Sequence, residues 1–250
     1  MERDIERYTE DYLAHYGFEQ VLVEYRRRVV LDQMDAVRPS VVLEIGCGSE
    51  LLYRHYLQHA AAVERWVVVE PAPAFCAGAR QAALPGMTVV EGFLEQSLPA
   101  VIAALPRPPD LVICSGVLQE VPSSLEMLNA IRATMDAGSL LHVNVANAAS
   151  LHRRLALAMN LIPALDAMSE RNVLLQQHRV YDFAALAADL EAAGFSVVER
   201  GGYLVKPFTH RQMEAVAPVL GDAVLDGLFE LGRREPELAC EIFVNARIAA

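Results

Sequence analysis

The stretch Val41-Val-Leu-Glu-Ile-Gly-Cys-Gly-Ser-Glu50 decides the fold of this chain. A mainly apolar run ends on two glycines one residue apart, and the segment from Leu51 to Ala62 favours a helix, so the order reads strand, tight turn, helix. Glycines at 46 and 48 let the backbone turn sharply at the strand's C-terminal edge. They also leave no Cβ to keep a ligand away, which is how open α/β sheets make a nucleotide crevice. A second strand, Arg65-Trp-Val-Val-Val-Glu70, ends on another carboxylate. There an acidic side chain can accept hydrogen bonds from both hydroxyls of a ribose. The two strand ends together describe a pocket for an adenosine-containing ligand.

The loop departs from its commoner counterparts. A phosphate-binding loop closes with Gly-Lys-Ser/Thr, and a pyrophosphate site wants a third small residue and no acid near the helix N-terminus. Here Glu44 precedes the turn and Glu50 stands two residues beyond Gly48. Two flanking carboxylates repel a pyrophosphate but tolerate an ammonium or sulfonium charge. Glu44-Ile-Gly-Cys-Gly48, followed by the strand ending at Glu70, resembles the first motif and the acidic ribose clamp of class I S-adenosylmethionine-dependent methyltransferases. The resemblance implies S-adenosylmethionine as cofactor, with Glu44, Gly46, Cys47, Gly48, Glu70 and Pro71 around it.

Composition agrees with one soluble α/β domain: 250 residues, 54% apolar, can bury a full core, and no low-complexity tract or linker divides them. Apolar stretches are broken by charge well short of a membrane span, and the N-terminus Met-Glu-Arg-Asp-Ile-Glu-Arg is charged where a signal peptide is apolar. The expectation is a cytoplasmic monomer or homodimer without membrane association. The net charge of −11 argues against a nucleic-acid partner, which draws affinity from Lys and Arg on phosphates. Lys206 is the only lysine. Arg26-Arg-Arg28, Arg153-Arg154 and Arg233-Arg234 read by default as solvated helix faces. Cys47, Cys76, Cys114 and Cys240 lack Cys-x-x-Cys spacing, which points to reduced structural thiols and no metal site.

Alternating elements follow along the chain. Residues 5 to 37 carry helical periodicity up to Pro39, and strands are expected at 87–91, 110–114 and 140–145. Ser123-Ser-Leu-Glu126 reads as a capping box, and Asp182 caps a helix running to Gly194. A strand at 195–200, a helix over roughly 213–231 and a last strand at 237–247 complete the series. This is a doubly wound βα rhythm. It resembles the seven-stranded, mostly parallel, Rossmann-like methyltransferase sheet whose last strand inserts antiparallel. The expected organisation is an N-terminal helical lid, residues 1–38, and an S-adenosylmethionine-binding domain, residues 39–250.

Further motifs extend the resemblance. Glu91-Gly-Phe-Leu94 looks like the turn along the adenine ring, which brings in Gly92 and Phe93; Phe93 reads equally well as core packing. Cys114-Ser-Gly-Val-Leu-Gln-Glu-Val121 matches the motif beside the methyl end of the cofactor, and so implicates Ser115 and Gly116. Relatives often carry Leu-Glu-His where this chain has Leu118-Gln-Glu120, so no histidine is inherited as a base there. Leu141 to Arg154, Gln177-His-Arg-Val-Tyr181 and Gly202-Tyr-Leu-Val-Lys-Pro207 resemble a bacterial subgroup acting on small molecules, sugars and natural-product intermediates.

Methyl transfer is an in-line displacement whose main demand is an acceptor aligned in a water-free site. A base is needed only if the acceptor must lose a proton. His178 and His152 are candidates, each with a helix-cap or structural role as alternative. Glu120 can hold an amine or hydroxyl, or serve a helix dipole. His178 lies at the end of an irregular stretch, roughly 160 to 181, that is long enough to be a substrate loop. Asn147 and Tyr181 join Tyr12 and Tyr16 as expected substrate contacts. Tyr8, Tyr12 and Tyr16 recur every four residues, as a lid face or a packing stripe. Arg26 or Arg27 can clamp the cofactor's carboxylate, or be exposed charge. His15, His55, His59 and His210 read as surface histidines. The leading function is O- or N-methylation of a small-molecule metabolite. The alternatives are methylation of carbon or of a carrier-bound or peptide substrate, and a cofactor-binding partner subunit without turnover.

Overall fold

Strand and helix alternate along the chain as the apolar periodicity requires. The structure is a computed structural model that describes residues 4–14 and 17–249. The chain runs α1 (Ile5–Ala14), α2 (Glu19–Val37), β1 (Val41–Ile45), α3 (Leu52–Tyr56), β2 (Arg65–Glu70), α4 (Pro73–Ala82), β3 (Met87–Glu91), α5 (Leu94–Ala104) and β4 (Leu111–Ser115). It continues through α6 (Ser124–Thr134), β5 (Leu140–Ala146), α7 (Leu151–Ala158), α8 (Glu170–Leu174), α9 (Phe183–Ala192), β6 (Phe195–Tyr203), α10 (His210–Arg234) and β7 (Glu241–Ile248). Among the described residues no helix is long and apolar enough to cross a membrane.

The seven strands form one sheet in the order β3-β2-β1-β4-β5-β7-β6. β7 inserts antiparallel between β5 and β6, while the pairings from β3 to β5 are parallel. The order reverses between β1 and β4, and at such a switch point the adjoining loops diverge and open a crevice at the strands' C-terminal ends.

Period-two alternation explains the layers. Leu43, Val67, Val112 and Val143 face one side, where α5, α6 and α9 cover them with Leu94, Val101, Leu128, Ile131, Leu186 and Leu190. Val42, Trp66, Val68 and Ile113 face the other, under α2, α3 and α4. A third cluster joins α2 and α10 to the β6–β7 edge through Leu22, Tyr25, Val29, Leu225, Phe229 and Phe243.

Two local expectations change. The helix expected over Leu51 to Ala62 stops at Tyr56. Tyr53 stacks on Trp66 at 4.4 Å, donates to the carbonyl of Pro85 and accepts from the amide of Val63, which draws the chain back to the start of β2. The stretch from 160 to 181 is not wholly irregular. It contains α8, opened by a capping box of Ser169 and Asn172. Arg153 holds the preceding loop through the carbonyls of Leu165, at 2.6 Å, and Ala167.

Candidate active site

One cavity, with an interior of about 280 Å³, opens at the C-terminal ends of the strands. All twelve residues expected around the cofactor line it: Glu44, Gly46, Cys47, Gly48, Glu70, Pro71, Gly92, Phe93, Ser115 and Gly116 from strand ends, and Arg26 and Arg27 from α2. Gly46 sits at φ +75°, where a Cβ would come within 2.7 Å of the Val117 side chain. Glycine is thus required by both the backbone and the space.

The glycine turn is not a phosphate cradle. The amides of Cys47 and Gly48 donate to the Glu70 carboxylate at 3.0 and 3.4 Å, and its other oxygen accepts from Ala72 at 2.8 Å. Donors that a phosphate would need are directed at a protein carboxylate. Glu44 is buried and accepts from the Trp66 indole at 2.8 Å. Burial, opposed by that hydrogen bond and helped by the nearby Glu70, pushes its carboxyl up to about 7. A cationic ligand would favour its ionised form. Arg27 pairs with Glu50, so the one cation nearest the turn already has an anion. This donor set fits an adenosyl ligand with a positive amino acid end.

The far end of the cavity is built from distant segments. Ser115 donates to Asn144, Asn144 to the Tyr203 hydroxyl, and Tyr203 to Glu241. Glu241 receives two hydrogen bonds from Arg26, which also reaches Glu19 at 2.9 Å. Glu19 accepts from Arg171 at 3.3 Å and faces His210 Nε2 at 3.4 Å, while His210 Nδ1 lies 2.8 Å from Lys206 Nζ. Burial pulls the Glu19 carboxyl up, but Arg26 and His210 outweigh it and hold the group well below the carboxylate range. Burial depresses Lys206 to about 8, with Cys240 and Glu19 opposing.

Several expectations are corrected here. His178 is exposed and outside the cavity lining; its backbone amide is tied to the carbonyl of Gln119. The neighbours Gln177 and Val180 turn inward instead. Tyr181 is fully buried in the core, donating to Asp189 at 2.8 Å, and does not line the cavity. Asn147 does line it, but its amide is engaged by the carbonyls of Glu237 and Ala239 and the amide of Ala149, so it serves as a backbone clamp. His152 lines the cavity beside Ser150 Oγ at 3.1 Å. Burial, then Lys206 and His210, push its pKa far down. It is therefore a neutral hydrogen-bonding group and a poor base near neutral pH. Glu120 lines the cavity and accepts from Tyr8 of α1 at 3.3 Å. The Tyr12 side chain, Tyr16 and His15 lie outside the described residues.

Sequence reasoning missed Lys206 and His210 as wall residues. His210 is only partly exposed and packs edge-on against Phe18, and Arg26 and Arg153 are turned inward although each sits in a basic run that read as a solvated face. The signal available was the solitary lysine.

Fold and cavity define an α/β protein with an adenosyl-binding crevice. The methyltransferase domain family model matches residues 13–200, and the chain belongs to that family. It is an S-adenosylmethionine-dependent methyltransferase. No curated protein matches it by sequence. Among solved structures it resembles an S-adenosylmethionine-dependent methyltransferase from Mesorhizobium loti at 15% identity, over 86% of this chain and 96% of that one, with a TM-score of 0.57. The 1,6-didemethyltoxoflavin-N1-methyltransferase of Burkholderia thailandensis, bound to 1,6-didemethyltoxoflavin and S-adenosylhomocysteine, shares 16% identity over 98% and 88% of the two chains, with a TM-score of 0.58. The plantazolicin methyltransferase BamL, in complex with a substrate analogue and S-adenosylhomocysteine, shares 13% over 98% and 97%, with a TM-score of 0.59.

Proposed function

We propose that this enzyme methylates an oxygen or nitrogen atom of a small-molecule metabolite, of sugar or natural-product type. The observation that carries the reading is the cavity at the strands' C-terminal ends, whose cofactor-side residues continue into a polar end walled by Glu120, His152, Arg171 and Lys206. Its polar lining suits a heteroatom nucleophile. The 1,6-didemethyltoxoflavin bound in the Burkholderia thailandensis N1-methyltransferase structure supports the same reading.

When bound, S-adenosylmethionine supplies a methyl carbon activated by the sulfonium. The residues then have positioning work to do. Glu70, braced by the turn amides, would hold the ribose, and Phe93 would offer an apolar face to the adenine. Glu44 would favour the cationic amino acid end, and Arg27 would have to share its guanidinium between Glu50 and the cofactor's carboxylate. α1 and α2 cover the cavity with Ile5, Tyr8, Leu22 and Val23, so residues 1–38 act as a lid over the domain from residue 39 onward. That cover and the α7–α8 wall exclude water from the acceptor. A cytoplasmic monomer or homodimer is the setting this reading assumes.

The test is transfer from methyl-labelled S-adenosylmethionine to cell extract separated into small-molecule and macromolecular fractions. Label in the small-molecule fraction is expected. Label confined to protein or carrier-bound material overturns the acceptor class, and binding of S-adenosylhomocysteine without any transfer leaves a cofactor-binding partner subunit.

A further inference from the structure

The acceptor end of the cavity holds an ammonium with no anion of its own. Lys206 is 2% exposed. Among the described residues its hydrogen-bond partner is His210 Nδ1, at 2.8 Å, which can accept only as a neutral ring. An ammonium has three donors, and a buried charge without a counter-ion is costly. The facing groups come from every neighbouring element: Glu19 and Arg26 from α2, His152 and Arg153 from α7, Arg171 from α8, His210 from α10, and Cys240 and Glu241 from β7. Both carboxylates are committed elsewhere, Glu241 to Arg26 and Tyr203, Glu19 to Arg26, Arg171 and His210. Arg153 spends its guanidinium on backbone carbonyls.

Counting Lys206, Arg26, Arg153 and Arg171 against Glu19, Glu120 and Glu241, this end carries an excess of one positive charge in a protein whose net charge is −11. Hydrogen bonding fixes the direction of the relay. With Nδ1 accepting from Lys206, the proton of His210 sits on Nε2 and points at Glu19. His210 therefore anchors the lysine without neutralising it.

We infer that Lys206 is the docking point for an anionic group of the acceptor, which makes the substrate a small metabolite carrying a carboxylate or a phosphate. The inference rests on the small-molecule methyltransferase reading and narrows it. The cofactor's own carboxylate is a poor candidate for this position. Lys206 follows β6, next to the start of β7 where the amide of Cys240 donates to Leu204, and β7 is three strands from the glycine turn of β1, roughly 14 Å at the usual strand spacing. Burial lowers the Lys206 ammonium to about 8 against the pull of Cys240, Glu19 and Glu241, and an anion docked on it would raise it again.

The single lysine makes the test direct. Protein labelled with carbon-13 at lysine Cε gives one lysine side-chain resonance to follow. The enzyme saturated with S-adenosylhomocysteine is titrated with benzoate, with inorganic phosphate, and with benzamide as the neutral counterpart of benzoate. At least one anion is expected to shift the resonance and raise the Lys206 titration midpoint by about one unit, with benzamide silent. Benzoate or phosphate as the stronger ligand tells a carboxylated from a phosphorylated acceptor. Lys206→Met should weaken the anion about tenfold or more and leave S-adenosylhomocysteine affinity within about twofold. A resonance indifferent to both anions, an equal response to benzamide, or parallel loss of S-adenosylhomocysteine binding in Lys206→Met overturns the inference. Failure of the unaltered enzyme to bind S-adenosylhomocysteine would strike at the methyltransferase reading instead, and the lysine response of the ligand-free protein then decides the subsite alone.

Discussion

The two ends of the cavity are held by different kinds of contact. At the cofactor end the deciding bonds are short in sequence: Glu70 to the amide of Cys47 spans 23 residues and Glu44 to Trp66 spans 22. At the acceptor end Arg26 to Glu241 spans 215, His210 to Glu19 spans 191 and Arg171 to Glu19 spans 152. The first end pairs carboxylates with backbone and indole N–H groups of adjacent strand ends. The second closes a ring of buried ions that exists only once both termini have reached the sheet. A local motif can specify the first, because neighbouring strands bring it together; only completed topology assembles the second.

The sharpest way to break this contrast is Arg26→Met, which leaves Glu241 with only the Tyr203 hydroxyl and takes from Glu19 its shortest ion pair. Loss of one partner of a buried pair costs about 3–5 kcal/mol, and urea unfolding should show it. Adding Glu19→Gln and Glu241→Gln to that variant should restore much of the loss. A single variant as stable as the parent would mean that the ring does not hold the acceptor end.

Glu70→Ala comes next. Removing a carboxylate that accepts three backbone amides and lines the cavity should weaken S-adenosylmethionine by about 1.5–3 kcal/mol in calorimetry. Unchanged affinity in a folded variant would take Glu70 out of the ribose role.

Glu44 gives a pH signature. Its folded pKa of about 7 lies above the usual 4.5, so the folded state holds the extra proton: stability should fall as pH rises from about 4.5 to about 7, and Glu44→Gln should flatten that slope. A cation binding beside it favours the carboxylate, so cofactor affinity should rise with pH up to about 7, by at most about tenfold per unit, with proton release seen in buffers of different ionisation heat. Proton uptake instead would place the cationic end elsewhere.

The smallest effect is expected from His178→Asn. An exposed side chain outside the cavity should leave turnover within about twofold of the parent. A hundredfold loss would show that the segment after α8 swings inward during catalysis.

The strand and glycine turn at Val41 to Glu50, the helix after them and the acidic end of β2 were legible from residues alone, while the antiparallel last strand and the lining residues Gly92, Phe93, Ser115 and Gly116 came from the resemblance those motifs carry. The former depend on alternation, glycine conformation or adjacent strands, and these are properties of neighbours in sequence. The acceptor end was not. Histidine type and position in a long loop pointed to His178, yet the helical turn of α8 and the tie to Gln119 leave that ring outside. Tyr181 and Asn147 looked like polar substrate contacts until a bridge between them and bonds to Asp189 and the backbone claimed both. Basic runs read as solvated faces, but Arg26 turns inward to Glu241, 215 residues away, and Arg153 turns inward to the carbonyls of the loop before α8, which no local pattern marks as partners. Sequence determined the alternation that builds the sheet and the glycine turn and acidic strand ends that line one end of the cavity; only the tertiary structure decided which charges face its other end, since the cost of burying an ion depends on partners that local pattern does not name.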